Sequence, residues 1–218
     1  MDHSVWAAST TQPDSFPFPN VQPLCSPKRR IRFSIRRPFC ILQSAFILMH
    51  PLNAKYPAAG TIPAGTDIGH VHLKVSSIEK ALDFYCGIMG FELMAMYGDS
   101  AAFISAGGYH HHIGLNTWHS RGAGPPPARA TGLYHVAIRF PSRKDLARIV
   151  KRVLDGGVQL QGASDHGVSE AIYLADPDMN GIELYRDRPR DEWPKNPDGS
   201  LHMTTEPLDV EALLGEAE

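Results

Sequence analysis

A chain of 218 residues, 43% hydrophobic and 20% charged, has the makeup of one ordinary globular domain with room for an appendage. Its 21 Lys and Arg against 23 Asp and Glu leave a formal charge of -2, so no positive field gathers nucleic acid and no acidic block solvates a tail. The three cysteines, Cys25, Cys40 and Cys86, lack zinc-site spacing and cannot pair evenly into a disulfide framework, which points to a reduced, cytoplasmic setting.

Residues 1–60 read differently from the rest. Pro13, Pro17, Pro19, Pro23 and Pro27 break any early helix or central strand. A basic stretch, KRRIRFSIRR from Lys28 to Arg37, then runs into the apolar segment Cys40 to Met49. Basic followed by apolar has the look of a targeting segment, but the apolar run is too short to span a bilayer and a long proline-rich preface is poor targeting grammar. The reading that accounts for most of this is an upstream false start with Met49 as initiator; a targeting segment and a family-specific extension are the alternatives.

From Asp67 the pattern sharpens. DIGHVHLKV alternates as a strand, and IEKALDFYCGIMG places Ile78, Ala81, Leu82, Tyr85 and Cys86 at helical spacing before Gly90. FELMAMYGD, AAFISAGG and HHHIGLNTW then read as three short strands. GAGPPPARAT, with three consecutive prolines, is a linker. After it come the strand GLYHVAIRF, the helix RKDLARIVKRVLDGG, a return beginning in GVQLQGASDH, and the strands EAIYLADPD and NGIELYRDR. The tail beyond Trp193 is polar and proline-broken, with a short helix expected over Val210 to Leu214.

The order strand, helix, several strands thus occurs twice, over residues 67–120 and 132–188. GHVHLKV and YHVAIRF set His70 and His135 at equivalent points of the two opening strands. Each module has an apolar sheet face that must be covered, which predicts an α+β domain over residues 67–193, its two modules curving around a shared cavity.

His70, His135 and Glu183 are the candidate metal ligands. Two imidazoles and one carboxylate suit Fe(II), Mn(II), Zn(II) or Ni(II) and leave adjacent positions open. An isolated strand histidine is more often a packed or surface residue, and Glu183, between Ile182 and Leu184, could simply face solvent. Position within the repeat tips the balance. His72 shares a face with His70 and is its rival as ligand. Gly114 falls near the first-module position that corresponds to Glu183, so it offers no fourth side chain.

The segments GHVHLKV with ALDFYCGIMGFEL, AFISAGGYHHHIGLNTW, GLYHVAI and SDHGVSEAIYLADPDMNGIELYRDRP resemble the vicinal oxygen chelate superfamily, which includes the glyoxalases and the extradiol dioxygenases. The catechol 2,3-dioxygenase group is the most similar in flavour. The resemblance spans residues 67–193 and implies paired βαβββ modules forming an open barrel, often in a homodimer. It also implies Fe(II) on His70, His135 and Glu183. An oxygen-stabilising histidine falls at His111, or at His112 if the strand register slips by one. His166 and Tyr173 fall at proton-handling positions. The implied reaction is ring cleavage of catechol or a substituted catechol by dioxygen, in a pocket that needs no membrane and no nucleic acid. A glyoxalase-like isomerase, an epoxide-opening thiol transferase and a noncatalytic ligand-binding protein are the competing readings. The turn DPDMN departs from the family's DPDGN, so Met179 carries a cost if its backbone is left-handed.

Overall fold

A computed structural model describes residues 60, 62–127 and 129–218. The basic preface, Met49, Cys25 and Cys40 lie outside the described residues. The first module comprises β1 (Val71–Lys74), α1 (Ile78–Leu82), β2 (Glu92–Tyr97), β3 (Ala101–Ser105) and β4 (Ile113–Asn116). In β1 the alternation works as the sequence predicts: Leu73 and Val75 are buried toward the helix, while His70, His72 and Lys74 are exposed on the other side. Ser77 caps α1 by accepting from the Lys80 amide. The expected single helix is not uniform. After Leu82 it widens into a π-type stretch, Asp83–Ile88, where the Met89 amide bonds the Phe84 carbonyl, and Gly90 ends it at φ 88°.

The second module repeats the plan with β5 (Val136–Arg139), α2 (Arg143–Asp155), β6 (Gly162–Asp165), β7 (Ser169–Ala175) and β8 (Gly181–Asp187). Ser142 caps α2, which buries Leu146, Ala147, Ile149, Val150 and Val153 along one stripe. The tail holds more structure than its polarity suggests. Glu206–Pro207 (β9) pairs with β6, and α3 (Val210–Leu214) buries Leu213 completely against the core.

The strands form two mixed sheets, ordered β1-β4-β3-β2 and β5-β8-β7-β6-β9. In each, the opening strand pairs in parallel with the last strand of its βαβββ unit, so β1 and β5 are outermost. The ladders confirm the internal correspondence: His72 faces Gly114 across one pair, and Ala137 faces Glu183 across the other. This is the paired-module architecture expected, and among the described residues the two sheets are separate and do not close into a barrel.

Both modules contribute to one apolar core, from Leu73, Phe84 and Tyr85 to Leu146, Ile172 and Leu184. The turn between β7 and β8 clamps them together. The buried Tyr85 hydroxyl donates to Asp176 Oδ2 at 3.1 Å, the Ser76 amide to Asp178 Oδ2 at 2.7 Å, and Asn180 Nδ2 to the Lys74 carbonyl at 3.4 Å. Away from this seam, buried Glu170 accepts from Arg143 and Arg186, both at 2.9 Å, and ties α2 to β7 and β8.

Within that turn Met179 has φ 66° and an exposed side chain. The left-handed angle costs a Cβ-bearing residue about 1–2 kcal/mol. Met179→Gly removes that cost and regains only part of it as unfolded-chain entropy, for a net gain of about 0.5–1 kcal/mol. A rise of roughly 1–4 °C in melting temperature is the expected result. An unchanged or lower midpoint in thermal denaturation would show that the turn carries no such strain.

Among the described residues no helix is long and apolar enough to cross a membrane.

Candidate metal centre

Glu183 lies in the middle of β8, where Ile182 and Leu184 are buried in the core and turn its carboxylate to the opposite face. Parallel pairing sets β5 alongside, and His135, the residue before β5, brings Nε2 to 2.9 Å from Glu183 Oε2. Gly181 is required for this approach: a Cβ there would lie 2.2 Å from the Tyr134 carbonyl and 3.1 Å from the His135 side chain. Two donors that share one ion at bond lengths of about 2.1 Å, at right angles, stand about 3 Å apart. The imidazole and carboxylate therefore have the chemistry and the spacing of neighbouring ligands.

Tyr173 stands directly across from Glu183 in the β7–β8 ladder, and its hydroxyl lies 3.2 Å from Oε1. The same hydroxyl is 2.7 Å from His166 Nε2. His166 Nδ1 is in turn 2.8 Å from the Thr204 carbonyl. A carbonyl only accepts, so Nδ1 carries a proton and the neutral ring presents Nε2 as an acceptor. The single Tyr173 proton therefore has two acceptors, Glu183 and His166, and the His166 contact is the shorter. Burial, then the neighbouring Glu183 charge and the bond to it, raise the Tyr173 phenol well above its ordinary value, which keeps that proton on the phenol at neutral pH. Thr204 had no signature in the sequence, because what it contributes is a backbone oxygen.

The other sequence candidates gather on the first module. His70 packs against His111 with ring centroids 4.5 Å apart, and His111 also meets the edge of Phe103 at 5.0 Å. Burial and then the charges of His70 and the neighbouring histidines lower the His111 pKa, favouring its neutral form. His112 is engaged differently: its Nδ1 lies 2.9 Å from Ser105 Oγ and accepts from the Ala106 amide at 3.3 Å. His72 lies over Gly114, packed near Trp118 and Phe103 at 5.4 and 6.0 Å. A Cβ at position 114 would come within 2.9 Å of the His72 ring, so the glycine makes room for an imidazole and supplies no ligand.

The structure thus joins His135, Glu183, Tyr173 and His166 in one chain of contacts, and His70 with His111 in another. It does not bring the two sets together: among the described residues, no three His, Cys, Asp or Glu side chains converge closely enough to hold an ion.

The model of the glyoxalase, bleomycin resistance protein and dioxygenase superfamily matches residues 67–184, more than half of the sequence. The chain belongs to this superfamily. Among its relatives, a catechol-2,3-dioxygenase of Bacillus subtilis is 41% identical over 157 residues, which cover 72% of this chain and 54% of that protein. A biphenyl-2,3-diol 1,2-dioxygenase of Rhodococcus globerulus is 29% identical over 124 residues, covering 54% of this chain and 61% of that one. This superfamily member therefore spans little more than half the length of the curated relatives it matches. A solved glyoxalase/dioxygenase structure from Nostoc punctiforme shares the fold, at a TM-score of 0.50 and 17% identity over 60% of this chain and 98% of that one.

Proposed function

We propose that this chain is an extradiol ring-cleaving dioxygenase, with a catechol or substituted catechol and dioxygen as substrates and Fe(II) held by His70, His135 and Glu183. The observation that carries the reading is the His135–Glu183 pair at 2.9 Å, continued through Tyr173 to a tautomer-fixed His166. A bare structural ion pair would need no such extension, whereas a diol substrate brings protons that must go somewhere. The relatives whose names are dioxygenases support the same reaction class.

When bound between His70, His135 and Glu183, Fe(II) would supply Lewis-acidic and redox chemistry for a diol and dioxygen. The protein groups handle charge and protons around it. The Tyr173 hydroxyl, directed at Glu183 Oε1, is placed to donate to an ionised substrate oxygen beside that carboxylate. His166 takes a proton at Nε2 and returns it through Tyr173, the Thr204 carbonyl holding the ring in the necessary tautomer. His111, kept neutral by its surroundings, supplies an uncharged imidazole to steady developing negative charge next to His70. The glyoxalase-like alternative loses ground at Gly114, where the His72 ring fills the space a fourth ligand would need.

Protein loaded with Fe(II) under anaerobic conditions and then given oxygen is expected to consume one dioxygen per catechol and to form a yellow ring-opened product. An oxygen electrode and an absorbance scan across a small panel of catechols check this. No uptake with any of them, by protein shown to contain iron, would reject the assignment.

A further inference from the structure

The run His110, His111, His112 lies between β3 and β4, and the proposed reaction uses only His111. The turn is anchored at its base. The His112 amide donates to the Ile104 carbonyl at 2.9 Å, the His112 carbonyl accepts from the Val71 amide at 3.0 Å, and His112 Nδ1 is taken up by Ser105 and Ala106. Tyr109 packs against both His110 and His112, with ring centroids 4.0 and 4.9 Å away. His110 and His111 are left facing one another, Nδ1 to Nδ1 at 2.7 Å, with ring centroids 4.6 Å apart.

A hydrogen bond alone accounts for that contact only if one ring gives a proton from Nδ1 and the other accepts it. On an exposed surface such a bond competes with water and holds two side chains together weakly. An ion can stand in place of the shared proton. Two imidazoles bound at right angles to one ion, at about 2.1 Å, have nitrogens about 3 Å apart and ring centres about 4.5–5 Å apart. The observed pair is close to that arrangement, and the exposed His110 is free to make the small opening it needs. Imidazole suits Cu(II), Ni(II) and Zn(II), but a right angle fits the tetragonal preference of Cu(II) and Ni(II) better than tetrahedral Zn(II). Both also bind such donors more tightly than Fe(II) does, so iron is the poorer occupant. Water completes the coordination.

We propose that His110 and His111 form a second metal site, which takes a divalent ion such as Ni(II) or Cu(II), and that filling it withdraws His111 from the reaction. An ion tied to both rings holds His111 toward the exposed His110 and places its charge beside His70, whose ring lies 4.5 Å from that of His111. The withdrawal rests on the reading of His111 as an oxygen-stabilising residue. The site itself does not, and the test separates the two.

Protein carrying no polyhistidine tag is loaded with Fe(II) anaerobically and dialysed to equilibrium against Ni(II), which does not oxidise catechols. Bound nickel and iron are measured together by elemental analysis, in wild type and in His110→Ala. His110 is exposed, so its truncation leaves the core untouched. Wild type is expected to hold one nickel per chain more than the variant, with equal iron in both. Catechol-dependent oxygen uptake should be the same in the two proteins without nickel. With nickel it should fall about 100-fold in wild type alone, the loss that follows removal of one stabilising donor. Equal nickel in both proteins overturns the site. Nickel gained only as iron is lost overturns it too, since the ion then sits on the iron's ligands. Extra nickel with undiminished uptake overturns the withdrawal of His111. If neither protein takes up oxygen even without nickel, the dioxygenase reading fails, and the nickel difference still decides whether the site exists.

Discussion

Glu183→Ala is expected to abolish tight iron binding while leaving the fold nearly intact. The side chain stands on β8 between two core residues, Ile182 and Leu184, which remain in place, and its carboxylate lies on the opposite face of the strand. Removing it opens no cavity in the core, so the large penalty that follows truncation of buried apolar groups does not apply. The site itself loses the negative charge that balances a divalent ion, and His135 loses the partner at 2.9 Å that orients its ring. Loss of a mere orienting partner typically lowers metal affinity by about 10–100-fold, so loss of the carboxylate ligand should exceed about 100-fold. Ring cleavage should fall with occupancy. Iron titration under anaerobic conditions, alongside a thermal melt without metal, separates the two effects. Unchanged iron affinity would remove Glu183 from the ligand set. Glu183→Gln is an informative companion, since it keeps an oxygen near His135 and Tyr173 but not the charge; it should also bind iron poorly.

Much of this arrangement was legible in the sequence because local rules govern it. In GHVHLKV, apolar Val71, Leu73 and Val75 alternate with His70, His72 and Lys74, and a strand has only two faces, so the histidines had to lie away from the helix. The repeat then set His70 and His135, and Gly114 and Glu183, at corresponding points, and the two parallel ladders have them there. Features that depend on distant atoms were not legible. Nothing in GHVHLKV says that the His72 ring will lie over Gly114 while His70 packs on His111; that follows from where Phe103 and Trp118 arrive. The sequence left the sign of the Met179 φ angle open; it is positive, in a turn where the Met179 amide donates to the Asp176 carbonyl and the Asp176 amide to the Asn180 carbonyl, both at 3.0 Å. Repetition also suggested that the two modules would enclose a common cavity within one chain. Repetition fixes what each module is but not which surfaces meet, and the modules here meet through Tyr85 and the Asp176 turn, with β1 and β5 outermost in their sheets among the described residues.

That turn carries the largest expected effect on stability. Asp176 is 3% exposed, yet its carboxylate accepts from the Asp178 amide at 2.9 Å, the Asn180 amide at 2.8 Å, Asn180 Nδ2 at 2.8 Å and the Tyr85 hydroxyl at 3.1 Å. Asp176→Ala leaves all four donors without this acceptor, and each buried unpaired donor costs about 1–3 kcal/mol. Water reaches part of the turn, so a total of about 3–5 kcal/mol is expected, in the range that identifies loss of a buried polar network. Burial raises the Asp176 pKa above its ordinary 3.8, against the opposing effect of these hydrogen bonds. The native state therefore holds its proton more tightly than the unfolded chain, and this group's contribution to stability falls as pH rises from the unfolded value to the folded one. Tyr85 acts at the other end of the scale. Burial, then the charge of Asp176 and the bond to it, raise the phenol far above its ordinary 10.0, so the folded protein keeps it neutral while the unfolded chain ionises. Stability from Tyr85 is whole below pH 10 and declines above it. Urea unfolding from pH 8 to 11 should show wild-type stability falling more steeply than that of Tyr85→Phe beyond about pH 10, because the phenylalanine variant has no proton to lose there. Parallel curves across that range would mean that the Tyr85 hydroxyl reaches water, and that the seam between the modules is looser than its 3.1 Å contact implies.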